Sequence, residues 1–400
     1  MHRLRLTGPL LLLSLLLALG GCDDTRGPVD GGRDAGGGGT DSGTPVDSGT
    51  PTDSGTPTDS GTPVDSGTDA GTIAGSNVVV GHLGGSSFRL HQVDTASLAA
   101  TTGSPYTAPG AYTDVAASTA ANRIAVALPG ENSVVLLDGD TLAAVTTIPV
   151  SVDPLTVTFS ADGSQLFVYA AEGASNRQMF IFDLAGTTAT AVAGSPFAVT
   201  FVATSMAHDP TTGRLYGVSA TTQWAADVTS TGLSLVGGST VSGGATSMAI
   251  DVARRRYYAT RIIPSRIVVR DMDSFDEITG SPLALPGDFP TGIALDPDSG
   301  NLFVLDGAEA ESTQATTLHY VTTSPLAVQD TCGMAAGCTL DATETGIALD
   351  SASDRLFVSV TRGPAAGQLS VFDVSTPAMP MELSDTRPTV GEVPAWVVVY

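Results

Sequence analysis

The chain has 400 residues, 41 acidic side chains against 17 basic ones, and a formal charge of −24. Every basic side chain is an arginine; there is no lysine. Such a balance excludes nucleic acid and anionic lipid surfaces as partners, because like charge repels both.

The N-terminus reads as a targeting segment rather than as part of a fold. His2, Arg3 and Arg5 precede an apolar run from Leu10 to Leu19, which is shorter than the roughly 20 residues a membrane-spanning helix needs. The run ends in Leu19-Gly20-Gly21-Cys22. This aliphatic-small-small-cysteine pattern resembles the lipobox of bacterial lipoproteins, and the resemblance implies cleavage after residue 21 and acylation of Cys22. An ordinary secretory signal with an incidental cysteine is the alternative. No later segment is long and apolar enough to span, so a lipid on Cys22 is the only membrane attachment expected.

Residues 22–74 form a linker. Asp-Ser-Gly-Thr-Pro-Val begins at Asp41, and its six-residue frame recurs from Asp47, Asp53 and Asp59, with truncated copies at Asp65 and Asp69. Proline and glycine at fixed intervals, with an aspartate in each copy, leave nothing to build a core. A disordered spacer spanning roughly 40 Å as a flexible coil is expected.

From about residue 75 the composition shifts to Val, Leu, Ile, Phe and Thr between turn residues. Six segments align without gaps, starting at Thr113, Leu155, Thr204, Thr246, Thr291 and Thr345. Each has an apolar third residue (Val115, Val157, Met206, Met248, Ile293, Ile347) and ends in Ser or Asp. Ten residues after each start a second run opens, at Arg123, Gln165, Arg214, Arg256, Asn301 and Arg355. A constant offset with turn residues between the runs predicts a β-hairpin. Third runs follow at Ser133–Asp138, Gln178–Asp183, Arg266–Asp271 and Gln368–Asp373. Weaker fourth runs sit beside Gly-Ser-Pro at residues 103, 194 and 280.

Four short strands per 42 to 54 residues is the arithmetic of a β-propeller blade. The last six residues, Ala395-Trp-Val-Val-Val-Tyr400, repeat the first-strand frame and stop where the turn belongs. The missing second strand is Asn77-Val-Val-Val. A seventh blade built from both ends, with the two segments side by side in parallel, would seal the ring and leave no sheet edge unpaired. The expectation is therefore an all-β, seven-bladed propeller over residues 75–400, ahead of six or eight blades or a linear solenoid.

The Gly-Ser-Pro-aromatic segments and the stretch Ser151-Val-Asp-Pro-Leu-Thr-Val-Thr-Phe-Ser-Ala-Asp-Gly-Ser-Gln-Leu-Phe-Val168 resemble the YVTN-type and lactonase-type seven-bladed propellers. Those motifs belong to the scaffold, which enzymes, electron-transfer subunits and binding proteins share, so the resemblance implies a fold and no activity.

Cys332 and Cys338 enclose a small loop. Outside the cytoplasm they are expected to form a local disulfide, and no histidine lies near enough in sequence to suggest zinc. On the face where the chain enters the inner strands, the entering loops carry Asp153, Asp288, Glu344 and Glu392. Four carboxylates at one channel mouth are a candidate cation site, with calcium the ion that oxygen ligands favour; acidic loops on an acidic protein are the competing reading. His208 stands where the other frames have Ala117, Phe159, Ile250, Leu295 and Leu349, either lining the channel or simply packed. Six arginines lie between Arg254 and Arg270. The blade arrangement puts Arg254, Arg255, Arg256 and Arg270 on one rim and Arg261 and Arg266 on the other. They read as solvated strand ends, with a carboxylate-bearing partner as the second reading.

Two functions remain open. One is a monomeric, non-catalytic binding or scaffold module for a protein or glycan, without cofactor, tethered in the bacterial cell envelope and facing away from the cytoplasm. The other is a lactonase-like hydrolase centred on the channel mouth.

Overall fold

In a computed structural model of the chain, described residues are 76–82, 88–229, 232–238, 240–286, 289–307, 316–331, 339–340, 343–361, 367–377, 380–383, 388–391 and 394–400. The signal segment, Cys22, the linker and the Cys332–Cys338 pair lie outside them.

Seven antiparallel sheets account for most of the described residues. Blade 2 shows the plan. Its inner strand Asp114–Ser118 pairs with Arg123–Leu128, then Ser133–Asp138, then Ala144–Pro149 at the rim. Blades 3 to 7 repeat it, with inner strands Pro154–Phe159, Ser205–His208, Ser247–Asp251, Phe289–Leu295 and Thr343–Asp350. The second strands open at Arg123, Gln165, Arg214, Arg256, Leu302 and Arg355, at or within a residue of the constant offset in the sequence. All inner strands run from the face we term upper, where the chain enters them, to the lower face.

Blade 1 closes the ring. Its inner strand is Pro394–Val399, paired with Asn77–His82, which pairs in turn with Arg89–Asp94 and Tyr106–Thr107. Val78 lies opposite Val399, and Gly81 opposite Trp396. Asn77 and Tyr400 exchange two backbone hydrogen bonds of 3.0 Å. The pairing is antiparallel, correcting the parallel arrangement expected. An inner strand always runs opposite to the second strand of its own blade, whichever end of the chain supplies it.

Both faces of each sheet are buried, so the core is distributed over the seven blade interfaces. Ala125, Val134, Val157 and Phe182 fill the space between blades 2 and 3; Val78, Val397, Phe357 and Leu369 fill that between blades 1 and 7. Five other clusters occupy the remaining interfaces. The recurring aromatic of the second strand (Phe167, Tyr216, Tyr258, Phe303, Phe357) is fully buried in each case. In blade 4 the pattern bends to fit Trp224, which stacks on Phe201 at 4.0 Å and donates its indole N–H to the Val202 carbonyl. Gly217 makes room for it, since a Cβ there would fall 2.2 Å from the indole ring.

The Gly-Ser-Pro segments break the fourth strand in two. Gly103, Gly194 and Gly280 take φ near +88°, and the following Ser-Pro bonds are cis. Where the outer carbonyl is lost, the serine hydroxyl replaces it as acceptor. Ser104 accepts from Gln92 N–H at 2.9 Å, Ser195 from Ile181 N–H at 3.1 Å, and Ser281 from Val269 N–H at 2.9 Å. Each third-strand donor is thereby kept satisfied.

The lower-face arginines tie neighbouring blades together; of those read as solvated strand ends, Arg254 remains 39% exposed while it does so. Arg123 donates to the Gly186 carbonyl of blade 3, Arg214 to the Met272 carbonyl of blade 5, Arg254 to the Asp298 carbonyl of blade 6, and Arg355 to the Ala96 carbonyl of blade 1. Arg255 reaches back to blade 4, where its guanidinium lies 2.6 Å from the fully buried Asp209 carboxylate. Arg270 is not on that rim: it is buried between blades 4 and 5.

Candidate functional site

A propeller concentrates chemistry where its inner strands converge, because one residue from each blade can reach the same axis. Here those strands are poor in charge. At the second position of the aligned frame they carry Asp114, Thr156, Ser205, Ser247, Gly292, Gly346 and Trp396, and at the fourth Ala116, Thr158, Ala207, Ala249, Ala294, Ala348 and Val398.

Asp114 is the exception, and it escaped the sequence reading. The signal was available: the alignment that singled out His208 also shows one carboxylate in a column of Thr, Ser and Gly. Its carboxylate crosses from blade 2 to blade 3. One oxygen accepts the Thr156 hydroxyl at 2.5 Å and the Val157 N–H at 2.9 Å, and the other accepts the Val115 N–H at 2.9 Å. Thr113 adds a second link, donating to the Pro154 carbonyl at 3.0 Å. Burial pushes the Asp114 pKa up to about 6, against the opposing pull of those three hydrogen bonds.

The expected carboxylate ring divides. Asp153 is half-buried at the upper end of blade 3, and its pKa is raised by burial and then by the nearby charge of Glu172. Asp288, Glu392 and the side chain of Glu344 lie outside the described residues. Among the described residues no group of three or more His, Cys, Asp or Glu side chains is placed to hold a metal ion.

His208 ends the inner strand of blade 4 at the lower face, level with Phe159 and about 20 Å along the strand direction from Asp153. It does not join Asp153. Its ring stacks on Phe167 of blade 3, with centroids 5.2 Å apart and planes 17° from parallel. Burial lowers its pKa despite the charges of Asp209 and Asp162. It packs as the apolar residues of the other frames do.

A second buried polar pair lies in blade 6. Asp306 accepts the Phe289 N–H at 2.7 Å, so it fixes the start of that inner strand. Its other oxygen faces His319 Nε2 at 3.4 Å, and both side chains are buried. The contact is an ion pair whenever the imidazole is protonated. Away from the channel, a largely apolar cleft between the outer parts of blades 3 and 4 is lined by Gln165, Ile181, Val192 and Val228.

No family model matches the chain, and no curated protein matches it in sequence. Solved structures do match in shape. The periplasmic gluconolactonase of Pseudomonas aeruginosa is 15% identical, with a TM-score of 0.61 over 81% of this chain and 98% of that one. A 6-phosphogluconolactonase assigned in Bacteroides fragilis is 12% identical, with a TM-score of 0.59 over 82% and 99%. A functionally unknown protein from Desulfotomaculum acetoxidans is 13% identical, with a TM-score of 0.59 over 82% and 99%. At such identities the likeness establishes the seven-bladed propeller and nothing finer.

Proposed function

We propose that the chain is a non-catalytic binding module for a protein or glycan, presented outside the cytoplasm on a lipid-anchored spacer. The observation that carries this reading is the state of Asp114. Above the lower-face turns it is the only carboxylate among the described inner-strand side chains; one oxygen holds blades 2 and 3 together and the other accepts the neighbouring Val115 N–H. A group so occupied is a poor general base or nucleophile. The inner strands otherwise offer hydroxyl, methyl and backbone groups, which suit recognition.

A hydrolase is the second reading. It is supported by the raised Asp114 pKa, about 6, which lies in the working range of a catalytic carboxylate. Two of the similar propellers carry lactonase names as well. A pH-stat assay of the purified chain with glucono-1,5-lactone separates the two. Hydrolysis at the buffer rate is expected, and turnover abolished by Asp114→Asn would overturn the binding-module reading.

The tether is proposed on the Leu19–Cys22 pattern. Cys22→Ser is expected to move the chain from the membrane to the soluble fraction of fractionated cells. Retention of that variant in the membrane would remove the lipid anchor from the proposal.

A further inference from the structure

Five of the described arginines, Arg123, Arg214, Arg254, Arg255 and Arg256, form ion pairs with carboxylates at 2.6 to 3.4 Å. Arg261, Arg266 and Arg270 form none with a described residue. All three stand on one side of blade 5. Arg261 is paired directly across the hairpin with Arg266, and Arg270 lies two pleats further along the same face of the strand. That face packs against blade 4 through Tyr257 and Ala259. Like charges directly opposite on a sheet are destabilising, so this placement needs a compensating partner.

The surroundings are shaped for these guanidiniums. Gly243, at φ +100° in the loop leading into blade 5, has the Arg261 guanidinium only 2.7 Å from where a Cβ would stand. Its carbonyl accepts the Gln223 side-chain amide at 2.8 Å. Gln223, fully buried, in turn accepts Arg270 Nε at 3.1 Å. Arg270, with 7% of its surface exposed, also donates to the Phe275 carbonyl at 3.1 Å and lies 5.4 Å above the Phe275 ring. It is a buried cation held by neutral groups. Arg266 Nε is buried with no hydrogen-bond partner among the described residues. Among the described residues the opposing charge that acts on Arg261 is Glu277, whose carboxylate accepts the Ser281 hydroxyl at 2.9 Å; its effect is outweighed by burial and by the charge of Arg266.

We propose that the upper end of the blade 4–blade 5 interface binds a small oxyanion, a carboxylate or a phosphate. Arg261 and Arg266 supply the contacts, and Arg270 supplies a fixed positive potential beneath them. The planar guanidinium fork matches both kinds of oxyanion. The protein's negative charge does not forbid this, because carboxylates beyond about 8 Å are screened at physiological salt, whereas the three arginines act at short range. The site is independent of whether the propeller binds or hydrolyses its main ligand.

The test is isothermal titration of the purified full chain with malonate and, separately, inorganic phosphate, with sodium chloride at matched ionic strength as the control. Saturable binding of at least one oxyanion, absent with chloride, is expected; the arm that binds more tightly identifies the class. The Arg261→Gln/Arg266→Gln variant should bind at least tenfold more weakly, a loss in line with one charge-assisted contact. Arg270→Gln should weaken binding by a smaller factor, and the exposed Arg89→Gln on blade 1 should leave it unchanged. Melting curves confirm that each variant is folded. Binding of neither oxyanion, equal affinity in the double variant, or an equal loss in Arg89→Gln each overturns the proposal, the last by showing an adventitious charge effect.

Discussion

A chain ending at Gly391 is expected to lose cooperative folding. The deletion removes the inner strand of blade 1 and leaves Asn77–His82, whose Val78, Val79 and Val80 are fully buried, as an open edge. It also removes Trp396, which lies 5.2 Å from Tyr112 at the blade 1–blade 2 interface, and Val397, which belongs to the blade 7–blade 1 cluster. Tyr400 goes as well, with the hydrogen bonds that join its hydroxyl to the Gly139 carbonyl of blade 2 and the Gln92 amide of blade 1. At about 1.5–3 kcal/mol per buried apolar side chain, and about half that for a half-buried one, the loss of Val397 with Trp396, Val398 and Val399 amounts to roughly 4–8 kcal/mol. That is comparable with the whole stability of a typical domain. The expected result is a loss of the sharp thermal transition seen by circular dichroism and rapid proteolysis within blades 1 and 7. A truncated chain that melts like the full one would show that the circle does not depend on its last strand.

The same closure shows how much the sequence could reveal. Strand spacing was legible because every blade repeats one hairpin, and an alignment of the chain with itself gives the offset without reference to contacts. The blade interfaces were legible in outline, since apolar residues on both faces of each strand require neighbours on both sides. The arginines were not. Arg214 and Arg254 satisfy themselves on main-chain carbonyls 58 and 44 residues away, and a carbonyl has no signature in a sequence. The Gly-Ser-Pro segments were legible as markers beside the fourth runs, whereas the part of their serines as substitute ladder acceptors depends on where the outer strand breaks. His208 and Asp114 were equally visible as deviations from their columns. The histidine drew attention because imidazole suggests chemistry, yet it packs like its apolar counterparts, while the aspartate makes the inter-blade link.

That link sets the clearest pH dependence. Asp114 titrates near 6 in the folded chain against 3.8 for an ordinary aspartate. Between those values the folded state holds one proton more than the unfolded state, so stability falls as pH rises. The contribution is fully present below pH 3.8 and is lost through pH 6; a difference of about two pH units corresponds to about 3 kcal/mol. Other aspartates act in the opposite sense. Hydrogen bonds from Ser160 and Ser164 lower Asp162 to about 2, and hydrogen bonds from the Ser97, Ser274 and Ser375 segments lower Asp94, Asp271 and Asp373. Their stabilising effect disappears on acidification, so the total curve conceals the Asp114 component. The informative quantity is the difference between the wild-type chain and Asp114→Asn, measured by urea unfolding from pH 4 to 8. Asparagine cannot accept the Thr156 hydroxyl, Val157 N–H and Val115 N–H as the carboxylate does, so a fixed offset of about 1–2 kcal/mol is expected at every pH. Superimposed on it, the wild type should lose roughly 2–2.5 kcal/mol relative to the variant between pH 4 and 7. A difference curve flat across that range would mean that the Asp114 carboxyl is solvated and that the cross-link between blades 2 and 3 is weaker than its geometry indicates.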